Sequence, residues 1–163
     1  RVRSFYGQFL VALKALAYIL TLGPEGIKEM AEIAVLNSNY IRKNLEGLYD
    51  LKYDAPTLHE CVFSDKHQRE YGVTNLDISK RLLDYGLHPP TMSFPLIVHG
   101  ALMIEPTETE SRRDLDLFIE AMKAIAREAK ENPELLKTAP HVTYVRRLDE
   151  VQAARNPILR WEK

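Results

Sequence analysis

Tyr85-Gly86-Leu87-His88-Pro89-Pro90-Thr91-Met92-Ser93-Phe94-Pro95, followed shortly by Ala101-Leu102-Met103-Ile104-Glu105-Pro106-Thr107-Glu108-Thr109-Glu110, is the part of this chain that decides its fold. Gly86 stops a helix. Pro89 and Pro90 fix two backbone angles and remove two donors, which makes a rigid turn. Met92 to Phe94 reads as a short strand, and Pro95 makes it an edge or a strand end. Leu102 to Glu105 is a stronger strand, ended by Pro106. Thr107 with Glu110 has the spacing of a capping box. The helix it would open runs to about Glu131, with Leu115, Phe118, Met122, Ile125 and Ala129 facing inward.

Outward from this stretch, Val73-Thr74-Asn75-Leu76-Asp77-Ile78 is a marked helix start. Thr74 and Asp77 form a capping box, and Val73 and Ile78 are placed as a hydrophobic staple. Asp65 to Gly72 reads as a polar loop. Leu58 to Ser64 and Tyr49 to Asp54 read as strands. A helix from Pro24 to Glu46 carries Ile27, Met30, Ala31, Ala34, Ser38, Ile41 and Leu45 as its inner stripe, with Gly23 and Pro24 separating it from a leading helix. After Asn132-Pro133, a short helical turn, residues 140–163 read as irregular, with a candidate strand at Val142–Val145. The order predicts an α/β fold: a small, mainly antiparallel sheet with helices packed on one face. Four parts follow: a leading helix (1–23), a connecting helix (24–47), a small α/β domain (48–139) and a tail (140–163).

The chain has 163 residues, 45% hydrophobic and 28% charged, which suits one domain with its own core. A formal net charge of -1 leaves no cationic surplus to neutralise phosphates, so nucleic acid is not expected as a partner. Cys61 is the single cysteine, so no intrachain disulfide forms. From Phe5 to Leu22 the chain is apolar on nearly every side, broken mainly by Gln8 and Lys14. Its length would reach across a bilayer, but Lys14 at mid-span would cost about 2.5–3.5 kcal/mol there. A buried helix is therefore expected, not a membrane span. Such a helix needs cover on all sides. With the opening Arg1-Val2-Arg3, this gives the expectation of a piece of a longer polypeptide or of a chain packed on a partner.

Chemistry-bearing groups are sparse. The seven glycines form no phosphate-cradling loop. His59, Glu60, Cys61, Asp65 and His67 could gather as metal ligands, or be a half-buried strand followed by a solvated loop. Cys61 with His59 could be a nucleophile and base, or a small buried thiol. Glu108 and Glu110 suit a helix N-terminus. Glu105, at the end of an apolar strand, would need a partner if buried. His88 would cap the preceding helix or line a cleft, and Thr91 carries the same ambiguity. On its residues alone the chain reads as a soluble α/β domain.

Several segments in order carry a resemblance: Ser4-Phe5-Tyr6-Gly7 with Ala17-Tyr18-Ile19 and Leu22-Gly23; Ala34-Val35-Leu36-Asn37-Ser38-Asn39-Tyr40; His59-Glu60; Asp77-Ile78-Ser79-Lys80-Arg81-Leu82; the Tyr85–Thr91 turn with Phe94-Pro95; the Leu102–Glu110 stretch; and Val145-Arg146-Arg147-Leu148-Asp149-Glu150. Together they resemble the C-terminal region of the P-protein family of the glycine cleavage system, in its two-subunit bacterial type, subunit 2. The resemblance implies the small C-terminal domain of a fold type I pyridoxal-phosphate enzyme, with the helices that join it to a cofactor-holding large domain. It implies that glycine is decarboxylated on pyridoxal phosphate and that the aminomethyl group passes to the lipoyl arm of H-protein.

That family holds its cofactor through a Lys preceded by His in a Gly-rich segment. No His-Lys pair exists here, and Lys66-His67 has the reverse order. The expectation is a chain with no catalytic residue of its own, inactive alone, which completes a site whose pyridoxal phosphate lies on the large domain. The implied partners are that domain, a sister P-protein subunit, H-protein and glycine, with neither nucleic acid nor membrane, in the cytoplasm. The candidate cleft or hinge positions are His88, Pro89, Pro90, Thr91, Glu105, Pro106 and Thr107. Two other readings compete: a stand-alone ligand-binding or regulatory α/β domain, and the small domain of another type I pyridoxal-phosphate enzyme.

Overall fold

A computed structural model describes residues 6–161, so the Ser4-Phe5 start of the leading helix lies outside the described residues. Helix α1 (Phe9–Leu45) contains both expected N-terminal helices as two arms. The break is at Gly23, whose φ of 64° and ψ of -176° are not helical, with Pro24 opening the second arm. Only a residue without Cβ adopts that turn cheaply. The first arm is not buried as expected. Its residues through Thr21 are exposed, Leu20 to 72% and Leu10 to 69%, and Leu22 is half-buried. The reason is reach: burial along α1 begins only at Ala34 and continues through Asn37, Ser38, Ile41 and Leu45. By length and composition this helix could cross a membrane.

Tyr49–Asp54 forms no strand, only isolated bridges from Glu46 to Tyr49 and from Asp50 to Ser64. Tyr49 is drawn into the core instead, where its hydroxyl donates to the Met122 carbonyl at 2.9 Å. Strand β1 (Cys61–Ser64) omits Leu58–Glu60. Asp65–Gly72 is not all loop: α2 (Lys66–Arg69) makes one turn. Helix α3 (Asn75–Asp84) starts at the expected capping box of Thr74 and Asp77. Strands β2 (Thr91–Met92) and β3 (Ala101–Ile104) complete an antiparallel sheet in the order β1-β3-β2. Phe63 faces Leu102, and Cys61 faces Ile104.

Helix α4 (Arg112–Glu131) is capped by Ser111 and Asp114, not by Thr107 and Glu110. The Thr107 hydroxyl bonds to that of Thr109 at 2.7 Å, and its carbonyl accepts from Asn37 Nδ2 at 2.9 Å. Those bonds hold Glu105–Glu110 as a loop. Two short helices follow, α5 (Pro133–Lys137) and α6 (Glu150–Arg155). No strand forms at Val142–Val145. Arg147 instead pins the tail through the carbonyls of Ala139 (2.7 Å) and Leu136 (2.8 Å) and through Asp77 Oδ1 (2.7 Å).

The sheet contributes Cys61, Phe63, Leu102 and Ile104 to one core with Ile41, Leu45, Ile78, Leu82, Leu115, Met122, Ile125 and Leu136 from the helices. This is the expected α/β arrangement, and the second arm of α1 shares its core. Tyr49 and Phe63 meet edge to face at 6.2 Å.

One buried carboxylate joins the elements. Asp65 is fully buried. It accepts from Arg69 Nε at 2.6 Å and from the Asn75 amide at 2.7 Å, and its own amide donates to Gly100 at 3.0 Å. Gly100 has φ 67°, and a Cβ there would lie 1.9 Å from Asp65 Oδ1. Gly100→Ala is expected to destabilise by more than the ~1–2 kcal/mol of the left-handed backbone alone, since Asp65 must also move. The urea midpoint should drop with the slope unchanged.

A second polar junction surrounds Arg81. Its guanidinium reaches both oxygens of Glu128 at 2.9 Å and Asp84 at 3.0 Å, and Tyr85 donates to Glu128 at 2.7 Å. Burial pushes the Asp84 carboxyl up, but the Val142 and His141 amides and Arg81 outweigh it and hold it below the ordinary range. Burial also pushes Glu128 up, and Arg81 and Tyr85 reverse that. Both folded values lie below the unfolded ones. Their stabilisation is therefore complete above the ordinary values of 3.8 and 4.5 and is lost as pH falls through the depressed ones. The urea midpoint is expected to fall below about pH 5, and Asp84→Asn to lower it at pH 7 and weaken its acid dependence.

Candidate functional site

Two turns bring the candidate residues together. After α3 the chain closes on itself, the Leu87 amide donating to Leu82 at 3.1 Å, and the rigid Pro89-Pro90 turn follows. At the end of β3 the chain leaves the sheet at Glu105-Pro106. Between the turns lies a cleft of about 230 Å³. Its floor is Ile41, Leu87, Ile104, Leu115 and Phe118, its walls are Pro89, Pro90 and Pro106, and its rim carries His88, Glu105, Glu110 and Asp114. Asp114 is already engaged as the partner of Ser111 in the α4 cap.

Five of the seven candidates line this cleft: His88, Pro89, Pro90, Glu105 and Pro106. His88 sits on the rim, while the preceding helix is closed by backbone bonds. Thr91 lies outside the cleft, exposed on β2 opposite Met103. Thr107 faces a second hollow of about 420 Å³, floored by Met30, Ala31, Ala34, Val35 and Leu58. Glu105 and Pro106 line both, so they form a ridge between two apolar hollows. Glu105 is not buried. Its side chain is 54% exposed, with His59 Nε2 at 3.6 Å. A pair this exposed contributes ~1 kcal/mol or less.

Two residues that sequence reasoning did not select hold this ridge. Asn37 Nδ2 binds the Thr107 carbonyl, and the Tyr18 hydroxyl donates to Glu108 Oε1 at 2.6 Å. Asn37 had a readable signal: it is a polar residue on the buried face of α1, between Ala34 and Ile41. Tyr18 had none, because nothing nearby in sequence marks its partner.

The other clusters do not assemble. Asp65 is committed to Arg69 and Asn75, His59 is exposed, and among the described residues no three metal-ligating side chains converge. Burial pushes the Cys61 thiol up to about 12, which the Ser38 hydroxyl and Arg42 only partly offset. A thiol held protonated is no nucleophile. A thiol-directed disulfide reagent at pH 8 should leave Cys61 unmodified in the folded chain and titrate it fully in urea; rapid reaction in the native state would contradict this burial.

The residues present do not fit pyridoxal phosphate. Neither hollow is lined by a Lys or Arg, and the cleft rim is acidic, which repels a phosphate. The cations Lys52, Lys66 and Arg69 line a third, open hollow of about 640 Å³ with Asp50, Asp65 and Glu70, and each is already engaged: Lys66, of the reversed Lys66-His67 pair, lies 3.4 Å from Asp50, Arg69 2.6 Å from Asp65, and Lys52 donates to the Ile97 carbonyl at 2.6 Å.

Comparison with known proteins gives concordant results. The family model described as glycine dehydrogenase, C-terminal domain, matches residues 30–141. A protein of Caldanaerobacter subterraneus subsp. tengcongensis named probable glycine dehydrogenase (decarboxylating) subunit 2 is 58% identical over 100% of this chain and 34% of its own length. Proteins of the same name from Listeria welshimeri (54% identical, 100% of this chain, 33% of theirs) and Fervidobacterium nodosum (56%, 99% and 34%) are similar. The chain thus spans about a third of the length of these curated relatives. Among solved structures, glycine decarboxylase (P-protein) of the glycine cleavage system, in inhibitor-bound form, matches with a TM-score of 0.63 at 21% identity, over 76% of this chain and 28% of that one. At that identity the likeness supports the fold.

Proposed function

The chain belongs to the glycine dehydrogenase C-terminal domain family, and we propose that it serves as the small domain that completes the site of a glycine-decarboxylating enzyme. The observation that carries this reading is the match over the whole chain to subunit 2 proteins three times its length. Two features of the chain support it. The apolar first arm of α1 is left uncovered, as a segment seated on another domain would be. The cleft between the Pro89-Pro90 turn and the Glu105-Pro106 ridge offers an apolar wall without any group to hold the cofactor. A stand-alone binding domain would not expose such a helix.

In this reading the pyridoxal phosphate and its lysine belong to the rest of the polypeptide, and a sister subunit, suggested by the name subunit 2, completes the assembly. His88, Pro89, Pro90, Glu105 and Pro106 face the shared site, and Thr91 and Thr107 flank it. The prolines, with Leu115 and Phe118, exclude water. The carboxylates of Glu105 and Glu110 repel anions. Groups to hold the carboxylate of glycine and the cofactor phosphate would have to come from the remaining polypeptide. The aminomethyl group leaves on the lipoyl arm of H-protein.

The test is complementation. This chain, the remaining two thirds of the subunit, and both together are assayed with the sister subunit and lipoylated carrier for release of carbon dioxide from carboxyl-labelled glycine. Release is expected only from the combination. Release by this chain without the rest, or none from a folded and associated combination, overturns the proposal.

A further inference from the structure

We propose that Tyr18 and Glu108 form a latch across the Gly23 hinge, through which the Glu105–Glu110 loop sets the angle of the first arm of α1. Resting on the function proposed above, this makes them positioning residues of the enzyme: the latch fixes the small domain's cleft relative to whatever the first arm is seated on.

Three observations carry this. First, Gly23 is the break between the arms. Its φ of 64° interrupts the helix, and beyond its chain neighbours and the backbone of its own helix no atom lies within 4 Å of the place a side chain would occupy. A small rotation there swings Phe9–Leu22, an arm of roughly 20 Å at 1.5 Å per residue. Second, the arm has one polar tether. Among the described residues, the bond from Tyr18 to Glu108 is the hydrogen bond that joins Phe9–Leu22 to the body of the domain, and no ion pair accompanies it. A phenol donating to a carboxylate at 2.6 Å is a charge-assisted bond with a defined direction. Third, the loop that receives it is held from the far side of the pivot. The Thr107 carbonyl accepts from Asn37 on the second arm. One short loop thus grips both arms, with Gly23 between the grips. The same loop begins with Glu105 and Pro106, which wall the cleft. Displacement of the arm and displacement of the cleft wall are then one motion.

The latch needs an acceptor at position 108, and the carboxylate charge strengthens it. In the full-length protein, Tyr18→Phe and Glu108→Ala should each raise amide hydrogen exchange across Glu105–Glu110 and around Gly23 by about fivefold, the loss of one modest hydrogen bond. Glu108→Gln, which keeps an acceptor but loses the charge, should raise exchange less than Glu108→Ala. In the assembled enzyme the first two should lower kcat with KM for glycine little changed, and the double variant should be no worse than either alone. Unchanged exchange in Tyr18→Phe, or additive losses in the double variant, would overturn the latch. Exchange is read without turnover, so an enzyme inactive on glycine whose Tyr18→Phe variant still loosens the loop would sink the proposed function and leave the latch standing.

Discussion

The carboxylate of Asp65 holds the domain together. It is fully buried, and a buried charge is tolerable only when its acceptor sites are filled. Arg69 fills one from a single turn of helix, and the Asn75 amide fills the other at the start of α3. The Asp65 amide ties to Gly100 just before β3. Asn75 extends the junction with its side chain, donating to the Ala101 carbonyl and to the Ser93 hydroxyl, both at 3.1 Å. Ser93 takes a left-handed φ of 58° there, a conformation a non-glycine residue holds only when its surroundings insist. One carboxylate thus sets where β1 ends, where α3 begins and how β2 and β3 meet.

The cleft follows from that junction. With α3 and β3 fixed at their starts, the segments that follow them come together: Leu87–Pro90 after α3 has closed on itself, and Glu105-Pro106 directly after β3. Pro89-Pro90 cannot continue a helix and lead into β2 at Thr91, while Pro106 cannot donate to a ladder and takes the chain out of the sheet. The space between is floored by core side chains, including Ile104 and Leu115. An apolar hollow with a stiff lip and an acidic rim suits a wall that closes on chemistry held elsewhere. The exposed first arm of α1 fits the same picture from the other direction, as a surface made to be covered.

What was readable in the sequence was local. The cap of Thr74 and Asp77 lies within one turn, and the inner stripe of α4 repeats at helical spacing, so both stand where expected. The capping pattern at Thr107 and Glu110 occurs again at Ser111 and Asp114, and the helix starts at the second. Only a bond from Asn37, seventy residues away, decides between them. Tyr49–Asp54 alternates like a strand, yet Tyr49 is buried with its hydroxyl on the Met122 carbonyl while Lys52, Tyr53 and Asp54 stay exposed. The cleft residues were legible where prolines marked them. Thr91 and Thr107 were carried along by adjacency and face elsewhere. Tyr18 could not be found without the fold, since its partner is ninety residues distant.

In the proposed role this chain walls a cofactor site without holding the cofactor. The most direct measurement is the visible absorption of bound pyridoxal phosphate, titrated first into this chain alone and then into the full-length protein. No bound-cofactor band is expected with the chain alone, and a saturable band is expected with the full-length protein. A saturable band from this chain by itself would contradict that role.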